Sequence, residues 1–195
     1  LRPSLCRHYH RSCHFEMAGC HQTTPSRLTL LHGFLKEKHF PIYMEPYTKE
    51  PVTLIEEVFP QDTNSYNTLF GGRLLSLMDK AGGIACAKFA HREFVTISID
   101  TLKFIAPARQ GDLLEVTGQV VFTSSHTACT KVTAFTLNKS DWEKKKICEG
   151  YFFFVAIDSM MRPIPIPQFV VENEDEQIEY DAALAIRQNM IESKE

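Results

Sequence analysis

Several active-site signatures are missing from these 195 residues. There is no GxSxG turn to expose a serine, no Walker-type phosphate loop, no GxGxxG after a strand and no HExxH pair. No apolar run approaches the 18 or more residues of a membrane-spanning helix, and the composition is that of a soluble globular protein. Closely spaced cysteines are also lacking from the body of the chain. Cys86, Cys129 and Cys148 lie scattered through apolar stretches, which predicts buried, reduced thiols in a cytosol-like compartment. Histidine is scarce there too: only His91 and His126 follow residue 40, and neither has a Cys or Asp spaced for a triad. Both read as surface or turn residues.

Basic charge is in short supply where a nucleic-acid surface would need it. Residues 1–43 carry six Lys/Arg against two acids, whereas residues 44–195 carry fifteen against twenty-two. An acidic body argues against nucleic-acid binding, so an anionic ligand must be held by local basic groups or backbone N–H groups. The stretch 1–43 lacks the periodicity of a folded element. Its cysteines, Cys6, Cys13 and Cys20, recur every seventh residue and its histidines follow no finger spacing, so no metal site is expected. Its richness in Arg and Ser is shared with organelle transit peptides, but an unstructured extension ahead of Met44 accounts for it more simply.

What is present from residue 51 onward is regular. "PVTLIEEVFP" alternates as a strand, "DTNSYN" is turn chemistry, and residues 70–91 make a long helix. Four runs rich in β-branched and aromatic residues follow at about 94–106, 113–123, 126–138 and 145–158, separated by "ARQGD", "TSSH" and "SDWEK". In the first run the apolar phase slips after Ile99, which predicts a bulge near Asp100. Lys144, Lys145 and Lys146 read as a solvated hairpin tip. One helix followed by consecutive strands is an α+β plan, an antiparallel sheet wrapped around one long central helix. After Pro163, Pro165 and Pro167, an acidic amphipathic helix is expected to pack on the outside, with Lys late in it to suit the helix dipole. The expected divisions are an extension 1–43, a central domain 44–168 and a C-terminal helix 169–195.

The central helix raises the chemical question. Gly71 and Gly72 stand at its start, where bare N–H groups and the positive dipole end can hold an oxyanion; equally, they can serve only close packing. Asp79 lies two turns on, roughly 10 Å along the axis. Steps of four and three from Gly72 give Ser76, Asp79, Gly83 and Cys86, a small-residue stripe broken by one carboxylate, with Leu74, Leu77, Met78, Ala81 and Ile84 opposite. An aspartate buried on such a helix is expensive unless used, and an apolar pocket raises its pKa toward that of a useful base. The alternative is an aspartate satisfied by Ser76 or a nearby backbone N–H.

Taken together, "PQDTNSYNTLFGGRLLSLMDKAGG", "FVTISIDTLKFIAPARQGDLLEVTGQVVFTSSHT" and "GYFFFVAIDSMMRPIPIP" closely resemble the hot-dog-fold acyl-CoA thioesterases over about residues 52–168. Asp62, Asn64, Asn67, Gly71, Gly72 and Asp79 match the family's pattern, with Asn67 where many members have glycine. The resemblance implies that Asp79 activates water or attacks the thioester, that Asn64 positions the water or carbonyl, and that N–H groups near Gly71 and Gly72 receive the carbonyl oxygen. It points to Ser124, Ser125, Arg109 and Arg162 for CoA, and implies no metal or cofactor. The partners it implies are the acyl-CoA substrate and further copies of the chain. Because Asp79 and the helix start are far apart in one subunit, it implies a homodimer with shared sites, built further into a trimer of dimers. A cytoplasmic location follows, with the mitochondrion as the alternative if 1–43 is a transit peptide. Two other readings stand beside it: a hot-dog hydratase, which normally pairs its acid with a histidine, and a non-catalytic acyl-CoA sensor.

Removing residues 1–43 should leave activity and thermal stability nearly unchanged, since that stretch has no pattern with which to bury surface. A large fall in either, measured by turnover and thermal melting, would contradict this expectation.

Overall fold

The structure is a computed structural model that describes residues 48–192; the extension expected at 1–43 and Lys194 lie outside it. The chain forms β1 (Val52–Glu57), a 3-10 turn (Pro60–Asp62), α1 (Gly71–Ala90), β2 (Glu93–Phe104), β3 (Leu113–Thr123), β4 (Thr127–Leu137), β5 (Lys144–Ile157) and α2 (Glu174–Glu192). The strands make one antiparallel sheet in the order β1-β3-β4-β5-β2, leaving β1 and β2 as its edges. The expected α+β hot-dog plan is therefore present; the central helix and the four later strands end within about two residues of the expected bounds, whereas β1 stops at Glu57, short of Pro60, and α2 begins at Glu174 rather than 169.

α1 lies against the inner face of the sheet. Leu74, Leu77, Met78, Ala81, Ala85, Cys86 and Phe89 point into a core shared with Leu114, Val116, Val132, Phe152 and Phe154. Small residues bring the two backbones together. A Cβ added to Gly118 of β3 would sit 2.8 Å from the carbonyl oxygen of Ala81, and one added to Gly82 would sit 2.7 Å from Thr130 Oγ1 and 3.0 Å from the Phe154 ring. His91, in the left-handed conformation (φ 52°), ends the helix with its N–H donating to Ala87 O at 2.9 Å. The stripe expected on α1 is drawn slightly wrong. Cys86 is fully buried and belongs to the core face, whereas Ile84 is exposed and lies with Gly72 and Ser76 on the open side.

β2 is interrupted twice. Thr96 pairs with Phe154 but Ser98 with Phe153, so Ile97 is an extra residue; a second extra residue falls between Asp100 and Lys103, where Thr101 has φ 52°. The second bulge is the one expected near Asp100. The first was hidden because Val95, Ile97 and Ile99 alternate without a break in the sequence.

On the outer face, Val121, Phe122, Cys129 and Phe153 are covered by Tyr180, Ala183, Leu184 and Met190 of α2. Glu179 anchors that helix by accepting from Tyr151 Oη (2.8 Å) and pairing with Lys131. Residues 163–169 form a strap in which prolines alternate with donors: Ile164 N–H bonds Ala156 O, Ile166 N–H bonds Ser125 O, and Phe169 N–H bonds Thr123 Oγ1. Proline has no N–H to donate, so alternation leaves every second residue to pair with the sheet. Lys144, Lys145 and Lys146 lie within β5 rather than at the hairpin tip, and Lys144 pairs with Glu115 at 2.5 Å. Burial pushes the thiols of Cys86, Cys129 and Cys148 upward, Cys148 to about 11, as befits packed, unreactive cysteines.

Gly118→Ala is expected to lower stability by about 1–3 kcal/mol, because the clash is with helix backbone rather than a movable side chain. Urea unfolding should show a lower midpoint at unchanged slope; an unchanged midpoint would mean α1 can lift without penalty.

Candidate functional site

The loop before α1 is built around Asn64. Its Oδ1 accepts from Tyr66 N–H (2.9 Å), Thr68 N–H (3.3 Å) and Thr68 Oγ1 (3.1 Å), while its own N–H donates to Thr68 O at 2.8 Å. This is an Asx turn, and it is closed by Asn67 at φ 56°, a conformation that asparagine tolerates better than most residues. Among the described residues no hydrogen bond uses Nδ2 of Asn64, so the side chain can hold its loop and still offer a donor.

A second set of bonds fixes the loop to the helix. Arg73, in the first turn, donates from Nε to Asp62 Oδ1 (3.1 Å) and from its terminal nitrogen to Glu56 Oε2 (2.6 Å). Asp62 accepts from Phe59 N–H at Oδ2 (3.1 Å) and from Phe70 N–H at its carbonyl (2.8 Å). Phe70 caps the helix with extended backbone and no side-chain bond. Its carbonyl takes the N–H groups of Arg73 and Leu74. The N–H groups of Gly71 and Gly72 have no backbone acceptor among the described residues, and they head the dipole.

Asp79 is half-buried on the side of α1 that faces β2, not sealed in an apolar pocket as its sequence context predicts. Neither Ser76 nor a backbone N–H satisfies it. Its partner is Thr96, whose Oγ1 donates to Asp79 Oδ1 at 2.6 Å. Sequence reasoning missed Thr96, since a threonine in a β-branched strand gives no signal; the bulge at Ile97 that distinguishes it appears only in the register. Oδ2 of Asp79 has no hydrogen bond among the described residues.

The four residues assigned to CoA divide between two places. Arg109 neighbours the Asn64 loop: it bridges Thr68, and its turn closes through Arg109 N–H to Asp112 Oδ2 (2.8 Å). Ser124, Ser125 and Arg162 lie at the other end of the sheet, separated from Arg109 by the eleven residues of β3, roughly 35 Å. Ser125 Oγ bonds His126 Nδ1 at 2.8 Å, and Ser124 Oγ is buried without a partner among the described residues. Arg162 converges on Asp158 Oδ2 with two nitrogens, at 2.8 and 2.7 Å. That contact holds the Asp158 carboxyl below its usual range. The chain therefore gathers Asn64, Gly71, Gly72 and Arg109 near the helix start, places Asp79 with Thr96 farther along, and keeps Ser124, Ser125 and Arg162 apart from both.

The description of the Thioesterase superfamily matches residues 66–141. An uncharacterised acyl-CoA thioester hydrolase of Bacillus subtilis is 33% identical over 133 residues, 68% of this chain and 77% of its own length. The cytosolic acyl coenzyme A thioester hydrolase of Rattus norvegicus is 28% identical over 131 residues, 66% of this chain; the chain spans only 34% of that longer protein. Among solved structures, a hexameric acyl-CoA thioesterase in its apo form superimposes with a TM-score of 0.71 at 30% identity, covering 76% of this chain and 96% of its own. The acyl-CoA hydrolase of Staphylococcus aureus, in complex with butyryl-CoA, CoA and CoA disulfide, gives 0.68 at 29% identity, over 75% and 92%. For that enzyme, alanine variants of an asparagine, an aspartate and a threonine have been solved. They are spaced fifteen and then seventeen residues apart, as Asn64, Asp79 and Thr96 are here.

Arg73→Met keeps the aliphatic stem and removes both ion pairs. The pairs are partly exposed, so global stability should fall by about 1 kcal/mol or less. Amide exchange across residues 62–70 should instead accelerate roughly tenfold, because the loop loses its tie to the helix. Unchanged exchange there would show that backbone bonds alone hold the loop.

Proposed function

The chain belongs to the acyl-CoA thioester hydrolases of the thioesterase superfamily, and from that membership we propose that it hydrolyses acyl-CoA to a free fatty acid and CoA through Asp79. The observation that carries the mechanism is the 2.6 Å bond from Thr96 to Asp79, on the open side of α1. Thr96 engages Oδ1 and orients the carboxylate, leaving Oδ2 to take a proton from a water molecule. The water oxygen bonds to the thioester carbon, and the carbonyl oxygen, as it gains charge, is received by the N–H groups of Gly71 and Gly72. Nδ2 of Asn64 steadies the carbonyl or the water. The C–S bond then breaks and the departing thiolate takes the proton held by Asp79. No metal or cofactor is required for these steps. Among the described residues no histidine bonds Asp79, which weighs against a hydratase, whose acid normally works with one.

The same geometry supports a shared site. Asp79 lies about 10 Å along the axis from Gly72, too far for one thioester carbon to meet both within a subunit. β2 is a free edge carrying exposed Ile97 and Phe104, and beside it runs the open side of α1. If two β2 strands pair antiparallel with their two-fold axis near Asp100, Phe104 and the helix start of one subunit come opposite Thr96 of the partner subunit. Asp79 of the partner subunit then faces the N–H groups of Gly71 and Gly72. The unit is thus a homodimer with two composite sites, and three such dimers make a hexamer of the kind found among the relatives. Arg109 contacts CoA from the helix-start side, while Ser125 and Arg162, a strand's length away, reach it from a different subunit, with Ser124, its Oγ buried, behind them. Buried thiols and the company of cytosolic and bacterial relatives favour the cytoplasm.

Hydrolysis of short to long acyl-CoAs with detection of free thiol tests the activity itself; binding without turnover would turn the reading toward a sensor. The shared site is tested by mixing. Asn64→Ala and Asp79→Ala should each be inactive, and co-refolding equal amounts should restore about a quarter of the native sites, since half the dimers are mixed and each has one intact site of two. A dead mixture despite proven subunit exchange would show that each subunit works alone.

A further inference from the structure

Phe70 occupies the N-cap of α1, and its side chain bonds nothing there. Serine, threonine, aspartate and asparagine ordinarily fill this place, because their oxygens accept an N–H of the first turn. Here that turn is fastened from outside the helix instead. Arg73 reaches out to Asp62 and Glu56, at 3.1 and 2.6 Å, and the two carboxylates offset a positive charge that the helix dipole disfavours at this end. Asp62 stands next to the helix start, since its carbonyl accepts from Phe70 N–H, yet both of its carboxylate oxygens are engaged elsewhere, by Phe59 N–H and Arg73 Nε. The Phe70 carbonyl in turn accepts from the N–H groups of Arg73 and Leu74. The Phe70 ring is 59% exposed and lies over Gly72, where an added Cβ would meet it at 2.6 Å.

We infer that Phe70 is a positioning residue for the hydrolysis: by holding the N-cap with a side chain that cannot bond, it keeps the N–H groups of Gly71 and Gly72 open to the carbonyl oxygen. The inference rests on the thioesterase reading. A capping side chain bonds the second or third N–H of a helix, which here means Gly72 or Arg73. Because the Arg73 N–H already donates to Phe70 O, a cap would fall on Gly72, and the substrate oxygen would have to displace it. A carboxylate cap is worse than a hydroxyl, since its charge opposes the one developing on that oxygen. The first turn thus lacks a stabilising bond that one substitution could supply, a local departure of the kind expected at a working site. The outward anchor through Arg73 holds the turn without using an N–H group.

The test compares Phe70→Ala, which removes the ring and adds no cap, with Phe70→Ser and Phe70→Asp, which add one. Both capped variants should melt about 2–4 °C above Phe70→Ala, and exchange of the Gly72 amide should slow in them. Their kcat should fall below that of Phe70→Ala, roughly fivefold for serine and roughly a hundredfold for aspartate, with KM little changed because the charge on the oxygen develops after binding. Stability and activity then move in opposite directions, which a purely structural residue would not produce. If the capped variants melt higher but turn over as Phe70→Ala does, the N–H groups are not used and the inference fails. It fails equally if neither variant gains stability or amide protection, because Phe70 is then not what leaves the turn uncapped. Should the native protein hydrolyse no acyl-CoA, the thioesterase reading itself fails, an outcome separate from both of these.

Discussion

The approach of α1 to β3 at Gly118 is the constraint from which the rest of the molecule follows. With 2.8 Å between the place of a Cβ on Gly118 and the carbonyl oxygen of Ala81, the helix lies as near the sheet as two backbones allow. Ala81, Gly82 and Ala85 supply the matching shallowness on the helix. At that depth Phe152 and Phe154 fill the space to either side, and the flank of α1 bearing Asp79 comes within hydrogen-bonding distance of β2. A helix held a few ångströms higher could not be reached by the hydroxyl of Thr96.

Much of this arrangement was legible in the residues. Alternation and turn chemistry place every strand, and the glycine pair with an aspartate two turns on identifies the helix and its chemical interest. The errors have specific physical origins. Cys86 and Ile84 were exchanged between faces because small residues on α1 serve two purposes, close packing on the sheet and an open flank, and periodicity does not tell them apart. Asp79 reads as sealed from its neighbours on the helix, whereas its exposure depends on β2 being an edge strand of the sheet. Thr96 was invisible for a related reason: its position depends on an insertion in pairing register between β2 and β5, which exists only across strands.

The outer layer is organised by a different economy of polar groups. Alternate prolines between residues 163 and 167 let a non-helical strap run along the sheet while donating only from Ile164 and Ile166. α2 then covers Phe122 and Phe153, and Glu179 draws on both Lys131 and Tyr151, whose hydroxyl is pushed well above its usual pKa by burial and by that carboxylate. Both layers thus leave the inner flank of α1 and the edge β2 uncovered while protecting the other apolar surfaces near them.

The two bulges in β2 also change what its edge offers to another chain. An edge strand of twelve residues with exposed isoleucines is ordinarily a template for polymerisation, since any extended segment can add to it. Here the paired residues fall into runs of at most four, Glu93–Thr96, then Ser98–Asp100, then Lys103–Phe104. A foreign strand arriving at random finds no long flat ladder. The irregularity that sets Thr96 against the carboxylate thereby also removes the long flat template on which strand-by-strand growth depends.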